Sequence, residues 1–425
     1  LKEFNLNVKE VQEIKPIAVL KTPGYSDIPA EDFLKKLNKS LKNVHAKATV
    51  QGSFKKNTQL KQTFDIDVFV HFDYKKYSKN DKIISDILGN KLKKIFKKIE
   101  RLHGSRDYYQ IKIKPYVFEI VPILHITSHK QAKNITDVSP LHAKWVTKKA
   151  LHKRSQIRLT KTFLTALGIY GAESYVRGFS GYACEVLTIH YGSFVNLLKA
   201  AQKWKHKQII DTERAYKNES ALANLNKSKT ISPLILIDPV QPTRNVTAAL
   251  GEEAYSSFIT SAKQFLKKPS KNFFVKKFAN KDDVLKHMSK STTLLILELE
   301  PEPNKHDVIG ASVLNKYNYL HNQFTSNKFK IMKSSWFWEK GENAAIWFLI
   351  SKKLPEKFEV RQGPFIKDES NSLRFKKKHK SVIVKKGRLH AKVKRRFTIP
   401  KDLVTYIIKQ NTFKYRMKHI KTEWY

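Results

Sequence analysis

The chain carries a single cysteine, Cys184, in 425 residues. One thiol cannot close an intrachain disulfide, and no CxxC or Cys/His spacing suits structural zinc. A disulfide-stapled scaffold is excluded, and a reducing compartment, the cytoplasm, is expected. No apolar run approaches the ~18–20 residues of a membrane span. The opening Leu1-Lys2-Glu3-Phe4-Asn5-Leu6-Asn7 lacks the apolar core of an export signal. The 14 glycines and 15 prolines never cluster into a linker, and no repeat period emerges. Acids are also scarce: 37 Asp+Glu face 82 Lys+Arg, for a net charge of +45.

Solubility of a small domain needs a charge of only about 2–8. A larger field of one sign costs stability through self-repulsion, so a polyanionic partner is implied. Nucleic acid is the first candidate and an acidic membrane surface the second; a lysine-rich proteome is the alternative source of the charge. Hydrophobic residues at 41% and aromatics at 11% describe a globular protein. Its length implies about two to four domains.

Periodicity organises the chain. Phe33, Leu37 and Leu41 fall at i, i+4, i+8 and predict an amphipathic helix over 30–42. Strands are predicted over 45–51, ending at Gly52-Ser53, over 65–72, and over 109–122, with a Lys-rich helix near 79–102 between the last two. This order suggests a small mixed sheet with helices on one face. From about 143 the period becomes helical. Leu159, Phe163 and Leu167 make an apolar stripe, and Arg154, Arg158 and Lys161 a basic one. Helices are expected over 182–203 and 251–267, a helix plus an exposed loop over 207–230, and a short strand over 234–238. A strand at 293–300, a helix face of Val313, Tyr317, Leu320 and Phe324, and strands at 329–332 and 344–351 form a β-α-β-β unit. The basic stretch 371–399 predicts a hairpin turning at Lys386-Gly387. A final helix over 401–410 is expected to close the chain.

The segment with chemistry in it is Gln51-Gly52-Ser53-Phe54, followed by Phe64-Asp65-Ile66-Asp67-Val68-Phe69-Val70. On a strand, Asp65 and Asp67 project from one face, about 6–7 Å apart. Carboxylates held so repel each other unless a divalent cation lies between them. Oxygen-only donors suit Mg²⁺, which shares its coordination with phosphates. Gly52 permits close approach of backbone N–H groups to a polyphosphate, and Ser53 can add a hydrogen bond. Either pattern alone is weak: a DxD is usually a solvated turn, and Gly192-Ser193-Phe194 repeats the tripeptide with no DxD after it. The combination is what counts, because carboxylates in an apolar strand are costly unless paired or ligated. Two-metal phosphoryl transfer wants a further acid. Glu119, in Val117-Phe118-Glu119-Ile120-Val121-Pro122, is the candidate; its alternative is an edge-strand Glu facing water. Asp107 competes but sits in a turn.

These residues resemble the archaeal-type (class I) CCA-adding enzymes, tRNA nucleotidyltransferases of the DNA polymerase β-like superfamily. The resemblance runs over most of the chain and is strongest from about 45 to 265. It rests on the Gly-Ser and Asp65-Ile66-Asp67-Val68-Phe69 block, which identifies only the superfamily. It rests also on Ser139-Pro140-Leu141-His142-Ala143-Lys144-Trp145, and on Gly168-Ile169-Tyr170-Gly171-Ala172-Glu173 continuing into Arg177-Gly178-Phe179-Ser180-Gly181-Tyr182 and Cys184-Glu185. A last string is Asp238-Pro239-Val240 with Arg244-Asn245-Val246. The resemblance implies addition of C, C and A to the 3′ end of tRNA from CTP and ATP, without a template and with release of pyrophosphate. It implies Mg²⁺ held by Asp65, Asp67 and Glu119. Gly52, Ser53, Lys56, His142, Lys161 and Tyr170 would hold the nucleotide, and Arg244 would read its base edge. It further implies a mixed α+β chain: a polymerase β-like catalytic head at 1–140 and a helical neck at 141–255. An α/β body follows at 256–290 with 372–425, and a small β-α-β-β tail at 291–371 engages the upper part of tRNA. A cytoplasmic homodimer with no membrane partner completes the expectation. Two positions depart from the family pattern: Lys56 stands where Arg is usual, and Glu119 where Asp is usual.

Local evidence leaves alternatives beside these roles. His142 reads equally as a loop or core histidine, Lys161 as a surface lysine, Tyr170 as a packing residue and Arg244 as a structural salt bridge. Arg374, Lys376–Lys378, Lys385–Arg388 and Lys392–Arg396 supply a basic surface for RNA shape recognition. Trp336 and Trp338 suit core packing better than base stacking. Competing functions are an A-only polymerase of the poly(A) or oligoadenylate kind and an RNA-binding protein that has lost catalysis. An antibiotic-modifying transferase is disfavoured by the charge.

Overall fold

The computed structural model describes residues 30–60, 65–114, 116–216, 220–275, 284–338 and 343–425; Leu1–Asn7 and the rest of the first 29 residues lie outside that set. The chain forms two compact units, Leu1–Lys277 and Phe278–Tyr425.

In the first unit, helix α1 (Ala30–Leu41) is followed by strand β1 (Ala46–Val50), the short helix α2 (Gly52–Lys56) and strand β2 (Asp65–Phe72). Helix α3 (Ile84–Lys93) leads to β3 (Glu100–Leu102), β4 (Tyr108–Ile113) and β5 (Tyr116–Leu124). The five strands make one sheet in the order β1-β2-β5-β4-β3. Only β2 and β5 run parallel, with Asp67 opposite Glu119. The stretch 109–122, read as one strand, is a hairpin: Ile113 pairs with Tyr116, so the chain reverses between them. Phe33, Leu37 and Leu41 of α1 do cover the sheet, packing on Ile66, Val68, Val70 and Phe118. The rings of Phe33 and Phe118 stack at 4.3 Å.

Helices α4 (Ser139–Lys149), α5 (Arg154–Ala166), α6 (Gly181–Tyr191), α7 (Phe194–Ala201) and α8 (Glu252–Lys267) follow, with a parallel pair, β6 (Gln208–Asp211) and β7 (Leu234–Ile237). The expected helix over 182–203 is broken in two. Gly192 ends α6 at φ +84, and the Ser193 side chain caps α7 by accepting from Asn196 N–H. The second Gly-Ser is thus a helix junction. Phe163, Phe194, Phe258 and Phe265 fill a core shared by α5 to α8. Residues 256–274 belong to that core, across the boundary expected at 255/256.

The second unit contains β8 (Thr292–Pro301), α9 (His306–Ser326), β9 (Ile331–Phe337) and β10 (Ala344–Ser351). After them come β11 (Phe358–Phe365), α10 (Glu369–Lys378), β12 (Val382–Lys385), β13 (Arg388–Lys394), α11 (Pro400–Ile408) and β14 (Met417–Trp424). Lys386 and Gly387 both take positive φ between β12 and β13, the hairpin that the sequence predicts. A helix does not close the chain: β14 follows α11 and pairs along β8 in a sheet ordered β14-β8-β10-β9. Backbone bonding therefore crosses the boundary expected at 371/372. Trp336 and Trp338 pack against the core of this unit. Among the described residues no helix is long and apolar enough to cross a membrane.

Candidate active site

The Gly-Ser turn and the acid pair are built as one piece. Gln51 N–H donates to Asp67 C=O at 2.8 Å, so the chain leaves β1 still tied to β2. Gly52 then turns into α2 with φ +61, a left-handed conformation that disfavours any Cβ. The space forbids one as well: a Cβ at Gly52 would collide with Asp67 Oδ2. Glycine is required here because the Asp67 carboxylate rests on its backbone.

Asp65 and Asp67 alternate with Ile66 and Val68, which are fully buried on the opposite face of β2. Parallel register sets Glu119 beside Asp67, so all three carboxylates share one face. Strand β5 lies between β2 and β4, which removes the edge-strand reading of Glu119. Its Oε1 accepts from Gln110 Nε2 at 2.9 Å. Asp107 is engaged elsewhere, with Arg101 and His103 at 2.9 Å each. The crowding leaves its mark on Asp67. Burial first, then Glu119 and Asp65, push its carboxyl up to about 6, and the charge of Lys56 only partly opposes them.

Among the described residues, no three His, Cys, Asp or Glu side chains are spaced to enclose a metal ion by themselves. The donor set nonetheless fits a hard cation. It is oxygen-only and overcharged, and Mg²⁺ needs just one or two carboxylates when phosphates complete its shell.

Behind α2 lies a second cluster, centred on Glu185 of α6. This carboxylate is fully buried. Lys56 Nζ donates to its Oε2 at 2.6 Å; Thr58 Oγ1 and Lys161 Nζ donate to its Oε1 at 2.6 and 2.9 Å. Lys161 Nζ also donates to Thr58 C=O at 3.1 Å. Burial would raise Glu185, but Lys161, then Lys56 and the hydroxyl, outweigh it and hold the carboxyl down at about 2. Lys161 is therefore no member of a solvated basic stripe. It is 2% exposed, turned inward because Glu185 offsets the cost of burying its ammonium. Two lysines against one acid leave the cluster with one positive charge. Tyr170 closes in from the other side, its hydroxyl packed so near Gly181 that a Cβ there would sit 3.0 Å away. Burial, ahead of the nearby Cys184 thiol and Glu185, raises this phenol, so it stays protonated.

A third cluster surrounds Asp238, just past the end of β7. This acid is fully buried as well. Arg244 Nη1 donates to Oδ2 at 2.8 Å and Tyr182 Oη donates to Oδ1 at 3.1 Å. His142 Nε2 lies 2.9 Å from Oδ2, without hydrogen-bond alignment. Burial would raise Asp238; His142 first, then Val240 N–H and Arg244, bring it down to about 2. The His142 and Tyr182 rings lie 4.4 Å apart, and the Arg244 guanidinium sits 5.9 Å from the centre of the Tyr182 ring. Tyr182 and Glu185 are one turn apart on α6, so that helix joins the two clusters.

The structure thus gathers Lys56, Lys161 and Tyr170 around Glu185, and His142 and Arg244 around Asp238. Glu185, Asp238 and Tyr182 lie in the strings that carry the family resemblance but receive no role there, and Thr58 lies outside those strings. A signal existed: Glu185 is a lone acid in Ala183-Cys184-Glu185-Val186-Leu187, the pattern that drew attention to Glu119.

Comparison with known proteins covers most of the chain. A nucleotidyltransferase domain model matches residues 31–142. The second domain of tRNA nucleotidyltransferases matches 155–275, and the C-terminal domain of CCA-adding enzymes matches 290–424. A CCA-adding enzyme of Nanoarchaeum equitans is 34% identical over 352 residues, covering 82% of this chain and 84% of that protein. One from Methanocaldococcus jannaschii is 34% identical over 373 residues, covering 85% and 80%. One from Saccharolobus shibatae is 31% identical over 371 residues, covering 85% of each.

Proposed function

The chain belongs to the archaeal CCA-adding enzyme family, and from that membership we infer how it extends the 3′ end of tRNA. It is a tRNA nucleotidyltransferase with a mixed α+β, polymerase β-like fold, and it adds C, C and A from CTP and ATP. In our reading Asp65, Asp67 and Glu119 hold divalent cations, Mg²⁺ being the ion their oxygen donors suit. Such ions, when bound, supply charge neutralisation on the phosphates and a more acidic acceptor hydroxyl.

The protein's own groups do the positioning. The Gly52 backbone and Ser53 approach the triphosphate, and Lys56 faces it with the net positive charge of the Glu185 cluster behind it. Lys161 and Tyr170 act from within that cluster, orienting Lys56 and α6 rather than touching phosphate. Asp238 fixes Arg244 through Nη1 and sets the His142 and Tyr182 rings side by side, a platform against which a base can be read. The tRNA hydroxyl displaces pyrophosphate from the bound nucleotide, and each product becomes the next acceptor. A homodimer in the cytoplasm is part of the same reading, as is engagement of the acceptor end and upper stem of tRNA.

The single observation that supports this site is the parallel register of Asp67 with Glu119 above a glycine whose missing Cβ makes room for the carboxylate. The test is incubation with tRNA lacking its 3′ end and each labelled NTP in turn, followed by product sizing. Two C and one A are expected. An A-only tail of variable length would replace this reading by a poly(A) polymerase-like one.

A further inference from the structure

The sheet face that carries the acids continues into a second concavity that the reaction above does not use. Asp65, Asp67, Phe69 and His71 alternate along β2 and project to one side. His71 lies four residues from Asp67, about 13 Å along the strand. On β1, Lys47 pairs with His71 and Thr49 with Phe69, so both point to that side too. At this end opens a cavity of about 540 Å³, nucleotide-sized, lined by Lys47, Thr49 and His71 together with Lys42, His45, Asp73 and His125.

Its lining is rich in nitrogen donors, with two lysines against one acid. Lys42 and Lys47 bring two ammonium groups, and His45, His71 and His125 bring three imidazoles. The acid in the lining, Asp73, has its carboxylate committed to the Lys76 N–H at 2.8 Å. His71 Nε2 is held by Thr49 Oγ1 at 2.9 Å, and its ring meets that of His125 edge-on at 5.7 Å. Burial, then His125 and Lys47, lower the His71 imidazole to about 4. A transition metal does not suit the site: such ions take three or four protein ligands, and no three candidate ligands are so spaced among the described residues.

We propose that this cavity is a second anion site on the catalytic sheet, taking a phosphate group from either an RNA strand or a separate nucleotide. Lys47 and Lys42 supply the charge, and Thr49, His71 and His125 the hydrogen bonds. The inference does not depend on CCA addition, because binding alone is read in its test.

The experiment follows the imidazole C–H resonances of His71 and His125 in the full chain with EDTA present. Inorganic phosphate, AMP and a short RNA oligonucleotide are added in separate titrations. Both resonances are expected to move, with titration midpoints rising by about one pH unit on binding. Lys47→Met and His125→Gln should each weaken the response about tenfold, while Asp67→Ala leaves it intact. A response to RNA at far lower concentration than to AMP identifies a strand phosphodiester as the source; an equal or stronger response to AMP identifies a nucleotide. No movement with any of the three overturns the proposal. So does movement unaffected by Lys47→Met, or movement lost in Asp67→Ala, which would place the anion at the acids instead. None of these failures bears on the tRNA reaction.

Discussion

Replacing Gly52 by Ala tests the geometry at its tightest point. Two costs arise, and they are separable. The first is backbone strain: Gly52 has φ +61, and an L-residue there costs about 1–2 kcal/mol. The second is steric. The new Cβ would overlap Asp67 Oδ2, so the carboxylate must retreat by about 1 Å or more, and a displacement of that size at a reacting centre costs ~10²-fold in rate. Gly192→Ala supplies the control. Gly192 has φ +84, but a Cβ there meets nothing within 4 Å. Both variants should therefore lose about 1–2 kcal/mol of stability in urea unfolding. Only Gly52→Ala should lose CMP incorporation, by about 10²-fold under single-turnover conditions, with tRNA affinity kept. Gly52→Ala activity within threefold of wild type would refute the packing of Asp67 on this turn as a functional constraint.

Three further outcomes follow from the clusters. Glu185→Gln strands one buried and one half-buried ammonium group and should destabilise by ~3–5 kcal/mol in urea, with partial recovery on adding Lys161→Met; a loss under 1 kcal/mol would contradict the cluster. Asp67 titrates at about 6 when folded and near 3.8 when unfolded, so the metal-free folded state binds the extra proton between those values. Its contribution to stability is greatest below pH 4 and is lost as pH rises through 6. Melting curves in EDTA should show that fall in wild type and a flatter profile in Asp67→Asn; identical profiles would remove the shift. Arg244→Ala should relax CTP/ATP selection by about tenfold while Asp238 loses one partner; unchanged preference in competition assays would exclude Arg244 from base reading.

Much of this was legible because it is local. Asp65 and Asp67 stand out in an apolar strand, and Lys386-Gly387 carries its turn in its own residue types. What stayed hidden depends on distant partners. Glu185 is a buried acid whose meaning comes from Lys56, 129 residues away, and no periodicity reports that pairing. Lys161 fits a surface stripe by spacing, and only its pairing with Glu185 shows that it faces inward. Along 109–122 the alternation is the same in both arms of the hairpin, so the reversal leaves no trace except Pro115, which cannot donate to a ladder. Strand β14 sits at a sheet edge, where four charged or imidazole side chains in Met417–Trp424 mask its pattern.

In our reading Asp67, aligned with Glu119 on one sheet face, carries nucleotidyl transfer and not tRNA binding. The most direct test of that reading is a paired measurement on Asp67→Ala: single-turnover addition of C, C and A to tRNA lacking its 3′ end, and the Kd of that tRNA. Incorporation should be abolished and affinity preserved within about twofold. Incorporation within tenfold of wild type would contradict it.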